Sequence, residues 1–117
     1  MEMTPREITE QLSKAINELS AQNVKLDKTG KKKAEAEKKY RIALQQKLLQ
    51  LRADGKSVSL ASELARGDVY VAERKQDRDI AESEWTVCRE KIKDLRDEIG
   101  ILRSLLTHLR EEAKNTI

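Results

Sequence analysis

The chain has no phenylalanine, one proline, one cysteine, one tryptophan and four glycines among its 117 residues. Aromatics at 3% leave too little bulky apolar material for a globular α/β core, which argues against a sandwich, a barrel or a doubly wound sheet. One cysteine, Cys88, permits neither an intrachain disulfide nor a multi-cysteine metal site, and it fits a reducing cytoplasm. No apolar run approaches the roughly 18 to 20 residues that cross a bilayer. The opening MEMTPREITEQ lacks the basic n-region and apolar h-region of a secretory signal. The expectation is a soluble cytoplasmic protein with no membrane contact.

What is abundant is charge, at 38% of residues, together with regularly spaced apolar positions. From Ala81 the series Trp85, Cys88, Ile92, Leu95, Ile99, Leu102, Leu106, Leu109 and Ala113 steps by four and three without a slip. That 3.5-residue repeat keeps one seam of an α-helix facing a partner helix. Nearer the start, Ile8, Leu12, Ala15, Leu19 and Leu26 follow the same spacing, with Gln22 at the position between the last two. Residues 27 to 39 are almost wholly polar, and Gly30 lies among them. Ala36, Tyr40 and Ala43 then resume the seam before Leu44, Leu48 and Leu51 shift it by one residue.

Punctuation divides the chain into three helices. Thr4, Pro5 and Glu7 form a capping box with proline at the first helical position, and Met3 and Ile8 sit where a hydrophobic staple would. A first long helix is expected over 4–53, with a bend at Gly30 favoured over a break at Thr29-Gly30. A hinge over 54–68 starts with Asp54-Gly55, carries a short helix capped by Ser59, and stops at Gly67, with Asp68 capping the next helix. Arg66-Gly67-Asp68 is read as that stop and cap, not as an adhesion tripeptide. A second long helix is expected over 69–114.

The fold class expected is all-α: a long antiparallel helical hairpin, a coiled coil with a short helix at the hinge, forming a single domain over 1–117. Arms of equal length pair position i with 121 − i, which sets Leu12 against Leu109, Leu19 against Leu102, Leu26 against Leu95, Ala36 against Trp85 and Tyr40 against Ala81. In that pairing Gln22 faces Ile99, Thr29 faces Ile92 and Lys33 faces Cys88, so those apolar residues lack full cover. A shift by a whole heptad would preserve the pattern. Ile80, Val87, Ile101 and Leu105 widen the apolar arc of the last helix beyond a two-helix seam. Assembly of two or more copies into an oligomeric helical bundle, most simply a dimer, is therefore expected. The seam residues expected to carry core and oligomer are Leu12, Leu19, Leu26, Tyr40, Trp85, Ile92, Leu95, Ile99, Leu102, Leu106 and Leu109.

Charge is uneven along the chain. Residues 1 to 53 carry twelve Lys or Arg against seven acids, and residues 54 to 117 carry twelve against fourteen. Lys31, Lys32, Lys33, Lys38, Lys39 and Arg41 concentrate the excess in a strip over 25–41, a surface for a phosphate backbone or an acidic partner. In the expected register Glu82, Glu84 and Glu90 answer part of it, and only Tyr40 is near enough to stack on a base. Arg74 and Arg78 occupy seam positions beside Glu73, Asp77 and Asp79 and are read first as a buried ion network that sets register, with a partner-facing patch as the second reading. His108 falls on an outward face and is read as a solvated histidine. No catalytic spacing occurs, no cofactor or metal is implied, and enzyme activity is not expected.

The long first helix, the stretch LRADGKSVSLASELARGDVYVAERKQDRDIAESEW over 51–85 and the heptad-bearing last helix together resemble small, mostly uncharacterised coiled-coil proteins of bacteriophages and prophages of Gram-positive bacteria. The resemblance implies a phage accessory protein in the host cytoplasm that binds a protein partner or scaffolds an assembly, and it assigns no site residues. The functional expectation is a non-enzymatic protein-interaction or scaffold module that binds itself and a second protein, an inhibitor of a host protein included. The alternative is a nucleic-acid accessory protein using the lysine strip.

Overall fold

The structure is a computed structural model that describes residues 2–115. Met1, Thr116 and Ile117, the ends of the domain expected over 1–117, lie outside the described residues. Among the described residues there are three helices and no strand: α1 is Pro5–Ala53, α2 is Val58–Arg66 and α3 is Val69–Asn115.

The helix ends follow from local chemistry. At the start of α1 the Glu7 N–H donates to the Thr4 hydroxyl at 3.2 Å, and Ile8 is fully buried while Met3 is half-buried. α1 then runs through Thr29 and Gly30 without interruption. Its end is a Schellman closure: Lys56 N–H donates to the Leu51 carbonyl at 3.1 Å and Gly55 N–H to that of Arg52 at 3.0 Å. The closure places Gly55 at φ 87°, a conformation glycine adopts without steric cost. α2 is capped by Ser57, whose hydroxyl accepts from Leu60 N–H at 3.3 Å, and not by Ser59 as the sequence suggested. Extended backbone at Ser57 aims its oxygen at the first turn, and Ser59 already lies inside the helix. Asp68 opens α3 by accepting from Val71 N–H at 3.0 Å.

The chain divides into two compact units. One comprises residues 27–86, and the other joins residues 2–26 to residues 87–115.

In the 27–86 unit the end of α1 and the start of α3 run antiparallel. Lys47 meets Asp68, Glu37 meets Arg78 and Lys32 meets Glu84, so α1 numbers fall as α3 numbers rise. This is not the register expected from equal arms. Trp85 lies beside Gly30 and Lys33 instead of Ala36, and Tyr40 meets Arg78 instead of Ala81. The cause is α2. Ala61 and Ala65 of α2 bury against Leu51, with Leu44 and Leu48 packed around them, so α3 begins alongside Lys47 and the last turns of α1 face α2. The one-residue shift of Leu44, Leu48 and Leu51 off the seam is therefore the turning of α1 toward a different neighbour.

In the other unit the buried side chains are Ile8 and Ala15 of α1 with Cys88, Ile92, Ile99 and Leu102 of α3, plus Gln22. Leu12, Leu19, Leu26, Leu95, Leu106 and Leu109 flank them, half-buried. The Cys88 thiol donates to the Gln22 backbone carbonyl and to its side-chain oxygen, both at 3.4 Å, where Lys33 was the partner expected. Gln22 Nε2 in turn donates to Glu18 at 3.0 Å. The shortage of cover expected at Cys88, Ile92 and Ile99 does not exist, because all three are buried. Ala113, expected to close the seam, is exposed.

Candidate functional site

A concave surface lies in the 27–86 unit. Gly30, Lys33, Ala34, Glu37, Arg78, Glu82 and Trp85 line a cleft of ≈ 500 Å³. Its floor arises because three successive turns of each helix carry no aliphatic seam residue. In their place α1 presents Thr29, Lys33, Ala36 and Tyr40, and α3 presents Arg74, Arg78, Ala81 and Trp85, all buried or half-buried.

Cations on aromatic faces fill the gap. The Lys33 ammonium stands 4.1 Å from the Trp85 ring centroid, the Arg78 guanidinium 4.4 Å from that of Tyr40, and Arg74 5.0 Å from that of Tyr70. Each is within reach of the ring quadrupole, and the long aliphatic stems cover what would otherwise be bare helix. Arg78 also bonds Asp79 at 3.0 Å and pairs with Glu37 at 3.6 Å. Partial burial works against the Arg78 charge, but Asp79, with Glu37 and Tyr40, outweighs it and holds the pKa above the ordinary arginine value. Arg74 pairs with Asp77 at 3.2 Å, and its buried Nε has no hydrogen-bond partner among the described residues.

Lys47 approaches Asp68 at 3.4 Å at the foot of α3. The Val71 N–H lowers the Asp68 pKa most, burial opposes it, and Lys47 adds to the lowering.

The lysine strip is largely engaged. Lys31 pairs with Asp27 at 3.0 Å, Lys32 with Glu84 at 2.9 Å and Arg41 with Glu37 at 2.8 Å, while Lys33 covers Trp85. Lys38 and Lys39 are exposed, and Lys39 helps line a second cleft of ≈ 320 Å³ with Lys32, Glu35, Ala36, Asp77 and Ile80. His108 pairs with Glu112 at 3.2 Å on an exposed face. Among the described residues no group of three or more His, Cys, Asp or Glu is placed to hold a metal ion, and no helix is long and apolar enough to cross a membrane.

Sequence reading placed Trp85, Tyr40, Arg74 and Arg78 on the seam but missed that cations and aromatics would pair there. The signal was present: Lys33 and Tyr40 of α1 stand one heptad apart on the seam, as do Arg78 and Trp85 of α3. The fold and this cleft define an all-α protein in which long helices interlock through a heptad seam, part aliphatic and part cation–π. No protein-family model matches the chain, and no curated protein and no solved structure matches it.

Proposed function

We propose that the chain is a non-enzymatic protein-interaction or scaffold module that self-associates, most simply as a dimer, and binds a partner protein through its hinge end. A phage accessory role in the host cytoplasm is in keeping with this reading. The observation that carries it is the density of exposed apolar side chains at the hinge. Leu49, Val58, Leu60, Leu64, Val69 and Tyr70 are between 42% and 71% exposed within 22 residues of chain, around a small core of Leu51, Ala61 and Ala65 with Leu44 and Leu48 packed against it. A short helix that turns alanines inward and leucines outward gives up burial that a monomer would use.

Self-association is supported by the outward face of α3, where Val87, Ile101 and Leu105 are 54%, 68% and 37% exposed. The nucleic-acid alternative loses support because Lys31, Lys32, Lys33 and Arg41 are already answered within the protein.

Two experiments test the reading. Ile101→Asp with Leu105→Asp is expected to lower the mass seen by light scattering while leaving helicity unchanged. A wild-type mass of one chain over the whole concentration range would refute self-association. Leu60→Asp with Leu64→Asp is expected to abolish capture of a cross-linkable partner from host lysate, and undiminished capture would remove the hinge from consideration.

A further inference from the structure

A second charged feature lies on α3, within the unit formed by residues 2–26 and 87–115. Arg89, Arg96, Arg103 and Arg110 recur every seven residues at the position flanking the seam, and all four are exposed. At 1.5 Å per residue, neighbours in this row stand about 10.5 Å apart.

Three of the four make no ion pair among the described residues, although Asp97 and Glu111 adjoin Arg96 and Arg110 in sequence. Helix neighbours meet at spacings of three and four. At those spacings around Arg96, Arg103 and Arg110 stand apolar, small, hydroxyl-bearing or basic residues and not one acid. Arg89 is engaged within the molecule, whereas Arg96, Arg103 and Arg110 make no ion pair among the described residues. On α1 the heptad positions that share this flank are Thr9, Ile16 and Asn23, again without an acid, and Ile16 is exposed.

We propose that this row is a docking stripe for an acidic helix of a partner protein, one that presents Asp or Glu at every seventh residue. Such a helix repeats at the same interval, so each of its carboxylates stays in phase with an arginine along the whole row. Charge pairs flanking the seams of coiled coils choose partners in this way. The apolar Ile16 adds a contact that charge alone does not supply.

A nucleic acid fits the row less well. Duplex DNA carries one charge per about 1.7 Å of axis, far denser than the row. Glu90, Asp97 and Glu111 also follow Arg89, Arg96 and Arg110 in sequence and line one edge of the row with negative charge. A continuous polyanion must meet that edge, whereas a helix with basic residues beside its acids complements it. The proposal builds on the reading of the chain as a protein-binding module, but it uses a different face from the hinge.

The test is fluorescence anisotropy with the full chain and four probes: a helical peptide of about 28 residues with Glu at every seventh position, a peptide of the same composition with those Glu scrambled, a peptide with Lys in place of those Glu, and duplex DNA. The Glu-repeat peptide is expected to bind at least about tenfold tighter than the scrambled one, and to weaken as salt rises. The chain carrying R96E, R103E and R110E is expected to lose about tenfold or more for the Glu-repeat peptide and to gain binding to a Lys-repeat peptide. Circular dichroism should show helicity intact, since all three side chains are exposed.

Equal binding of the two Glu peptides, or unchanged affinity in the triple variant, would overturn the proposal. So would DNA binding that exceeds peptide binding and disappears in the same variant, which would assign the row to nucleic acid. Peptide binding that survives Leu60→Asp with Leu64→Asp supports a separate docking face, and its loss there would count against one.

Discussion

The residues 2–26 with 87–115 and the residues 27–86 share one spacing of inward positions and fill it with opposite materials. The first unit packs Ile8, Ala15, Ile92, Ile99 and Leu102. The second puts Thr29, Lys33, Tyr40, Arg74, Arg78 and Trp85 in equivalent places, with the smaller Ala43, Val71 and Ala81 buried among them and an apolar cluster of Leu51, Ala61 and Ala65 at the hinge. Helix packing of this kind asks that each position be filled and each buried polar atom be answered, and only secondarily that the filling be oily. The aliphatic unit meets the demand by the hydrophobic effect, which salt does not screen and salting-out ions strengthen. The cation–π unit meets it with electrostatics, which salt and pH can reach.

The sharpest way to break this comparison is a truncation in the aliphatic unit. Leu102→Ala, at a position 5% exposed, is expected to cost about 2 to 5 kcal/mol, read from urea unfolding followed by circular dichroism. A cost near zero would mean that the aliphatic seam does not hold this unit.

Next in size comes a pair of substitutions in the other unit. Arg78→Met removes a cation held by Tyr40, Asp79 and Glu37 and should cost about 1 to 2 kcal/mol, with the loss shrinking at high salt. Arg74→Met also removes the pair with Asp77 and the cation over Tyr70, but it takes away a buried Nε that has no hydrogen-bond partner among the described residues, so it should cost less, about 0.5 kcal/mol. Equal losses at the two sites would show that packing, not charge, sets the strength of this seam.

Glycine substitutions sharpen the contrast from the stabilising side. A Cβ at Gly30 would sit 3.6 Å from Trp85 Nε1, an ordinary contact, and one at Gly100 would meet nothing within 4 Å. Both residues lie in helix interiors, so Gly30→Ala and Gly100→Ala should each raise stability by up to about 1 kcal/mol. Gly55→Ala should lower it, because that backbone has positive φ.

The smallest expected effect is acid sensitivity at Asp68. Its carboxyl is held below the ordinary aspartate value of about 3.9, so the unfolded chain takes up the proton first. The stabilisation is fully present above that value and is lost as pH falls through the lower folded-state pKa. Urea midpoints should therefore slope downward below about pH 4, and Asp68→Asn, which still caps, should flatten part of that slope.

Much of this architecture is legible in the residues alone. Thr4-Pro5 and Asp54-Gly55 mark the ends of α1 because capping and Schellman chemistry are local, and the seam from Ala81 to Leu109 follows from spacing. The register is not legible there, since a heptad pattern looks the same after a slide by seven. What sets it is α2 docking on Leu44, Leu48 and Leu51, a contact between segments that the one-residue shift hints at without naming. The cation–π pairs depend on that register, so Lys33 was set against Cys88 and Trp85 against Ala36. The arginine row is visible in the heptads throughout, but a count of charges by halves averages it away against neighbouring acids.

The chain's single tryptophan and single cysteine stand three positions apart on α3, and each belongs to a different unit. Trp85 lies under Lys33, so its emission reports how the 27–86 unit melts, while Cys88, 1% exposed, is shielded from alkylating reagents until the other unit opens. The protein thus carries two native reporters whose coincidence or separation during denaturation reveals whether aliphatic and ionic packing yield in one cooperative event or in sequence.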